Sequence, residues 1–366
     1  IIGTTISGEG TAGSVTIEAS DTVILDRRDS EVFTGVASNV GTGSEGNGGV
    51  ITITTDSLEV KNGARISADT FGQGNGGGVT ITTDSLEVKN GATISASTFA
   101  QGNVGTVDIN ATETVVLDGG NSEIVTGVLS TVEEGAEGNA GGVTIATGSL
   151  EVKNGAIISS GTAAKGDGGT VKINATETVV IDGEGDSEFL TGVASQVNSG
   201  EGNAGGITIA TGSLEVKNGA AISASTFAKG DAGTVDINAT KTVVLDGGDS
   251  EFFTGVGSKV DKGAEGNGGI VTITTGALEI RNGAEITAST RGQGDAGTVT
   301  IEASETVVLD QGDSEFLTGV ASTVGTGAQG NGGSITITTG SLEVKNGAQI
   351  NSVTFAKGDG GTVEIN

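Results

Sequence analysis

The sequence predicts an all-β chain wound as a right-handed parallel β-helix, a solenoid with three short strands per coil. Three observations predict it. The phrase GNGGGVTITTDSLEVKNGATISASTFAQ, Gly74 to Gln101, is preceded by a near copy at Gly46 and returns at Gly138, Gly202, Gly266 and Gly330. Val, Ile, Leu and Thr alternate with polar residues in short runs bounded by Gly and Asn, the period-two pattern of half-buried strands. Gly supplies 68 of 366 residues, while Pro, Cys, Met, His, Trp and Tyr are absent. That palette fits one simple unit used many times, and the dense β-branched register excludes disorder.

Taken in order, residues 1–9 read as the tail of a unit. Eleven whole units of 36 or 28 residues then begin at Gly10, Gly46, Gly74, Gly102, Gly138, Gly166, Gly202, Gly230, Gly266, Gly294 and Gly330. Residues 358–366 open a twelfth, so residues 1–366 form a single rod with a partial coil at each end. The underlying period is a 64-residue pair, broken once by the doubled 28-residue units at Gly46 and Gly74. At about 4.8 Å per coil, eleven coils span roughly 53 Å. The right-handed sense follows from general chirality, not from the period.

Within the unit at Gly74, three runs read as strands: Val79 to Ile81, Leu86 to Val88, and Ala92 to Ala96. Alternation sends Val79, Ile81, Leu86, Val88, Ile94 and Ala96 inward and Thr80, Glu87, Thr93 and Ser95 outward. Asn90-Gly91 is a hairpin signal in isolation. The constant period favours a coil instead, in which each strand pairs with its counterpart in the next unit. The nine Phe residues fall in repeat register and read as core or corner packing.

The 36-residue unit inserts an acidic loop before the third strand, such as DGGDSEFFTG at Asp246. Its carboxylates, with those of sister loops, are the calcium candidates: Asp182, Asp186, Glu188, Asp246, Asp249, Glu251, Asp310, Asp313 and Glu315. Calcium takes six to eight oxygens, but neither an EF-hand nor a Gly-Gly-x-Gly-x-Asp spacing is present. The alternative is structural. The column Asp26, Lys61, Lys89, Asp118, Lys153, Asp182, Lys217, Asp246, Arg281, Asp310, Lys345 alternates in sign except where Lys61 meets Lys89, which marks the expected weak point of the rod.

A second column, at the second residue of each coil, is Asn or Asp from Asn47 to Asp359 and reads as turns or an amide ladder. Outward Thr residues such as Thr80, Thr144 and Thr208 form a third. Asp108, Lys172 and Asp236 interrupt it, which argues against ice binding.

The formal charge of −29 argues against nucleic-acid binding and against docking on an anionic membrane. No apolar run approaches 18 residues, so no direct membrane insertion is expected. Without His or Cys, a Ser-His or Cys-His nucleophile is excluded. No enzymatic activity and no cofactor are expected. The chain begins without Met or an apolar leader and reads as processed or as part of something longer.

The phrase from Gly202 to Thr226, GNAGGITIATGSLEVKNGAAISAST, and its partner from Gly230, GDAGTVDINATKTVVLDGGDSEFFTGV, resemble the repeats of cyanobacterial filamentous-haemagglutinin-like exoproteins of the two-partner secretion class. The resemblance implies a right-handed β-helix, an outer-membrane secretion partner, location at the cell surface or in the medium, and a role in adhesion or filament building. The expected function is therefore an extracellular shaft, with a second copy, stacked head-to-tail or laterally, or the rest of a longer chain as partner. The alternative is a polysaccharide-binding or polysaccharide-active β-helix, which requires a groove along one face.

Overall fold

The computed structural model describes residues 1–28, 30–184 and 189–366. Among them all regular structure is strand, arranged in two parallel sheets that share one long core. One sheet stacks the short third strands of the coils, for example Thr93–Ser95, Thr126–Leu129 and Ala156–Ser159. The other stacks long strands such as Gly78–Lys89, Thr106–Asp118 and Gly142–Lys153. The chain is a parallel β-solenoid.

Each coil pairs with the next in the register of the sequence repeat. Val107, Asp108 and Ile109 lie between Val79, Thr80 and Ile81 on one side and Val143, Thr144 and Ile145 on the other. The first two predicted strands are separate in the unit at Gly46, as Val50–Thr54 and Ser57–Lys61. From Gly78 onward they run together, and the corner survives only as a bulge. The ladder jumps there from Ala111↔Thr83 to Thr114↔Ser85, because the 36-residue unit carries one extra residue. Threonine from the 28-residue units takes up carbonyls freed at this corner: Thr83 Oγ1 donates to Asp56 O at 3.0 Å and to Ser85 O at 2.9 Å.

Asn90 and Gly91 have φ of 53° and 79°, and Ala92 N donates to Lys89 O at 3.3 Å. These are the angles of a tight type I′ hairpin turn. No hairpin follows, because Thr93–Ser95 pairs with Arg65–Ser67 of the coil before and Gly127–Leu129 of the coil after. Side chains decide between the two outcomes. Leu86, Val88, Ile94 and Ala96 are fully buried against one another and against Val79 and Ile81, which requires the two strands to face each other across a core rather than lie edge to edge.

The Asn/Asp column is a ladder of a different kind from the one expected. Asn75 Oδ1 accepts from Asn103 N, Asn103 Oδ1 from Asn139 N, and Asn139 Oδ1 from Asp167 N, each at 3.0 Å. Asp167 Oδ1 then accepts from Asn203 N at 2.8 Å. The structural requirement is one acceptor oxygen aimed at the backbone of the next coil, which Asn and Asp both supply. That explains why the two interchange freely along the column. The glycine preceding this column has no such freedom: at Gly102 φ is 142°, and a Cβ would lie 2.0 Å from Gly74 O.

Candidate functional site: a channel outside the short-strand sheet

The insert loops of the 36-residue units build the principal surface relief, and their ends are pinned to neighbouring coils. At the start, Asp118 Oδ1 accepts from Gly120 N at 3.0 Å and from Asn154 Nδ2 of the next coil at 2.8 Å. Asp182, Asp246 and Asp310 repeat both contacts, accepting from Asn218, Asn282 and Asn346. At the end of the four later loops, the threonine of the Thr-Gly pair reaches back to the preceding Asn-Gly turn. Thr126 Oγ1 accepts from Gly91 N at 2.6 Å, Thr191 from Gly155 N, Thr254 from Gly219 N and Thr318 from Gly283 N. At the doubled unit the following coil has no insert, and Gly63 N donates to Asn90 O instead.

This wiring assigns the first aspartate of each loop a structural role. Hydrogen bonds from Asn346 and from Gly312 N hold the Asp310 carboxyl below the usual range. Burial pushes Asp246 upward, but Asn282 and Arg281 outweigh it, so its carboxyl also sits low. The remaining calcium candidates in these two loops, Asp249, Glu251, Asp313 and Glu315, are exposed. Asp186 and Glu188 lie outside the described residues. Among the described residues no three Asp or Glu side chains come together in a way that could hold a metal ion.

The alternating charge column is present in register, but its lysines chiefly pair elsewhere. Lys61, Lys89 and Lys153 bond Glu59, Glu87 and Glu151 of their own strands at 2.5, 2.8 and 2.9 Å. Cross-coil pairs form at Lys217–Asp182, 3.5 Å, and Arg281–Asp246, 2.8 Å. The expected weak point is thereby offset: Lys61 and Lys89 are neighbours, and each carries its own glutamate.

The middles of the loops lie over the outer face of the short-strand sheet and wall a channel along it. Around the doubled unit, Ile124 and Val125 face Phe99 across a floor of Thr93, Ser95 and Ser97, enclosing about 250 Å³. Ser95 is on the predicted outward side, yet these walls leave it 5 % exposed. The Asp69 carboxylate is buried in the floor, accepting from Ser67 Oγ at 2.7 Å, Ser95 Oγ at 3.0 Å and Ser97 N at 2.8 Å. Burial raises its pKa above the ordinary carboxylate value despite these donors.

The phenylalanines do not pack in the core. Phe71, Phe99, Phe227, Phe252, Phe316 and Phe355 are exposed, Phe252 at 74 %. Columns of Val, Ile, Leu and Ala fill the space between facing strands, leaving no room for a ring. Parity carried the signal: Ile94, Ala96 and Thr98 are buried, so Phe99 falls on the outer side. Phe71 and Phe99 stack with centroids 4.7 Å apart.

Farther along the same face lies a second enclosure of about 350 Å³. Lys259, Glu285 and Arg291 line it from two adjacent coils, and Leu317 and Phe355 line it from the next two. Lys259 Nζ sits 4.0 Å from the centroid of the Phe253 ring, a cation–π contact. Burial pushes the Glu285 carboxyl up and the Lys259 amine down. Arg65, Glu285 and Gln349 occupy equivalent third-strand positions, as do Asp69 and Ser97 one coil apart. Inspection of single repeats missed this site because its residues are the positions at which the repeats differ.

No family model, no curated protein sequence and no solved structure matches the chain.

Proposed function

We propose that this chain is an extracellular structural shaft, a rigid rod segment of a surface filament or adhesin. The observation that supports this reading most directly is the continuity of the two parallel ladders. Short strands from Ile2–Ile6 to Gln349–Asn351, and long strands from Val15–Glu18 to Thr362–Ile365, pair coil by coil without a change of direction. A rod held this way resists bending, because hydrogen bonds and buried columns on opposite sides of the axis must both deform. Ion pairs within strands and acidic loops along one side keep its surface charged and soluble.

Export to the cell surface or medium, through an outer-membrane partner, rests on the resemblance of the repeat phrases. Immunogold electron microscopy of the producing cells tests it. Label on thin projections at the cell surface or on released fibrils is the expected result. Label confined to the cell interior overturns the reading. Deleting residues 202–265, one 64-residue pair, is expected to shorten the rod by two coil spacings, about 9.6 Å, and leave it folded.

A further inference from the structure

Beyond its role as a shaft, we propose that the channel at Lys259, Glu285 and Arg291 is a binding site for an uncharged oligosaccharide. The charges of this site are arranged differently from those on the long strands. There, Lys61, Lys89 and Lys153 are each paired with a glutamate two residues earlier. Here Lys259, Glu285 and Arg291 line one cavity together. Among the described residues no close ion pair or side-chain hydrogen bond joins these three to one another. All three line the cavity, with the Lys259 ammonium resting 4.0 Å from the centroid of the Phe253 ring.

The chemistry of the lining selects the ligand. Two cations, Lys259 and Arg291, stand with two carboxylates, Glu285 and Asp261, so the site has no net charge to offer a charged ligand. The chain as a whole carries −29 and repels polyanions. A peptide strand docks on a sheet edge, where free backbone N–H and C=O groups wait. This surface is a sheet face whose backbone is already paired coil to coil. A sugar matches what remains. Its hydroxyls both donate to carboxylates and accept from Lys and Arg, while its C–H faces lie against apolar walls such as Leu317 and the exposed Phe355 ring. The lining spans four successive coils, from Lys259 to Phe355, roughly 14 Å along the axis. That length suits a short oligosaccharide better than a single ring.

Titration calorimetry of the whole chain with neutral gluco-, manno-, galacto- and xylo-hexaoses tests the proposal, with an oligogalacturonate as the acidic comparison. At least one neutral hexaose is expected to bind saturably. Arg291→Ala and Glu285→Gln should each weaken it about tenfold or more. Lys172→Ala, on the exposed outer face of the other sheet, should leave affinity unchanged. Unaltered circular dichroism melts of the variants establish that the fold is retained. The proposal is overturned if no neutral hexaose saturates, if the acidic oligosaccharide binds more tightly, or if Arg291→Ala and Glu285→Gln bind as the parent does.

Discussion

The Thr-Gly pair ending each insert loop can be tested at Thr254. Its hydroxyl is fully buried and accepts from Gly219 N of the preceding coil at 2.7 Å. Thr254→Val keeps the shape and removes the acceptor, leaving a buried backbone N–H unpaired at a cost of about 1–3 kcal/mol. Thr254→Ser keeps the oxygen and deletes one methyl group, worth about 0.8 kcal/mol of burial. The two variants therefore separate hydrogen bonding from packing. In a solenoid, stability is a sum of local terms, so the readout should be local too. Hydrogen exchange at the Gly219 amide is expected to accelerate by roughly 5- to 150-fold in Thr254→Val and by much less in Thr254→Ser. Gly63, whose N–H has a backbone partner instead, serves as the unaffected reference. If Thr254→Val protects Gly219 as well as the parent does, the pinning of loop to turn is not what holds this corner.

Three other perturbations discriminate among the forces described. Leu214→Ala should cost about 2–5 kcal/mol by emptying a core column, whereas Phe227→Ala, at an exposed ring, should change the melt little. Asn203 accepts from Asp231 N through Oδ1 at 2.9 Å; Asn203→Asp should be nearly neutral and Asn203→Ala should cost about 0.5–1.5 kcal/mol in denaturant titrations. Asp69 supplies a pH test. Its carboxyl is raised in the folded state, so the fold holds this proton more tightly than the unfolded chain does. The contribution of Asp69 is greatest below the ordinary carboxylate pKa of about 3.9, and it is lost as pH rises through the folded value. The stability of the parent minus that of Asp69→Asn should therefore fall as pH rises from about 4 and then level off; a flat or rising difference contradicts the assignment.

How much was legible in the sequence depended on whether a feature repeats. The parity of Val79, Ile81, Leu86, Val88 and Ile94 is stated by alternation in every unit, and all five are fully buried. Asn90-Gly91 alone was ambiguous, since its angles suit a hairpin as well as a coil corner; only the fixed period favoured the coil. The partners of the polar columns were harder to read. Asp246 was legible as one step of a charge column, but its bonds to Asn282, one coil away, and to Gly248 in its own loop depend on how the loop closes.

What the sequence determined by itself is the coil: a period of 28 or 36 residues with alternating apolar positions can bury its side chains only by stacking units in register, because each strand is too short to stand alone. What the tertiary structure decided is the outer relief. Pinning the loops between neighbouring coils lays their apolar middles over the short-strand sheet. That placement covers Ser95 and Asp69, while the stacking of third strands brings Lys259 together with Glu285 and Arg291. Residues of different units meet there because parallel stacking holds equivalent positions about 4.8 Å apart, a spacing set by backbone hydrogen bonds and independent of which side chain each repeat happens to carry.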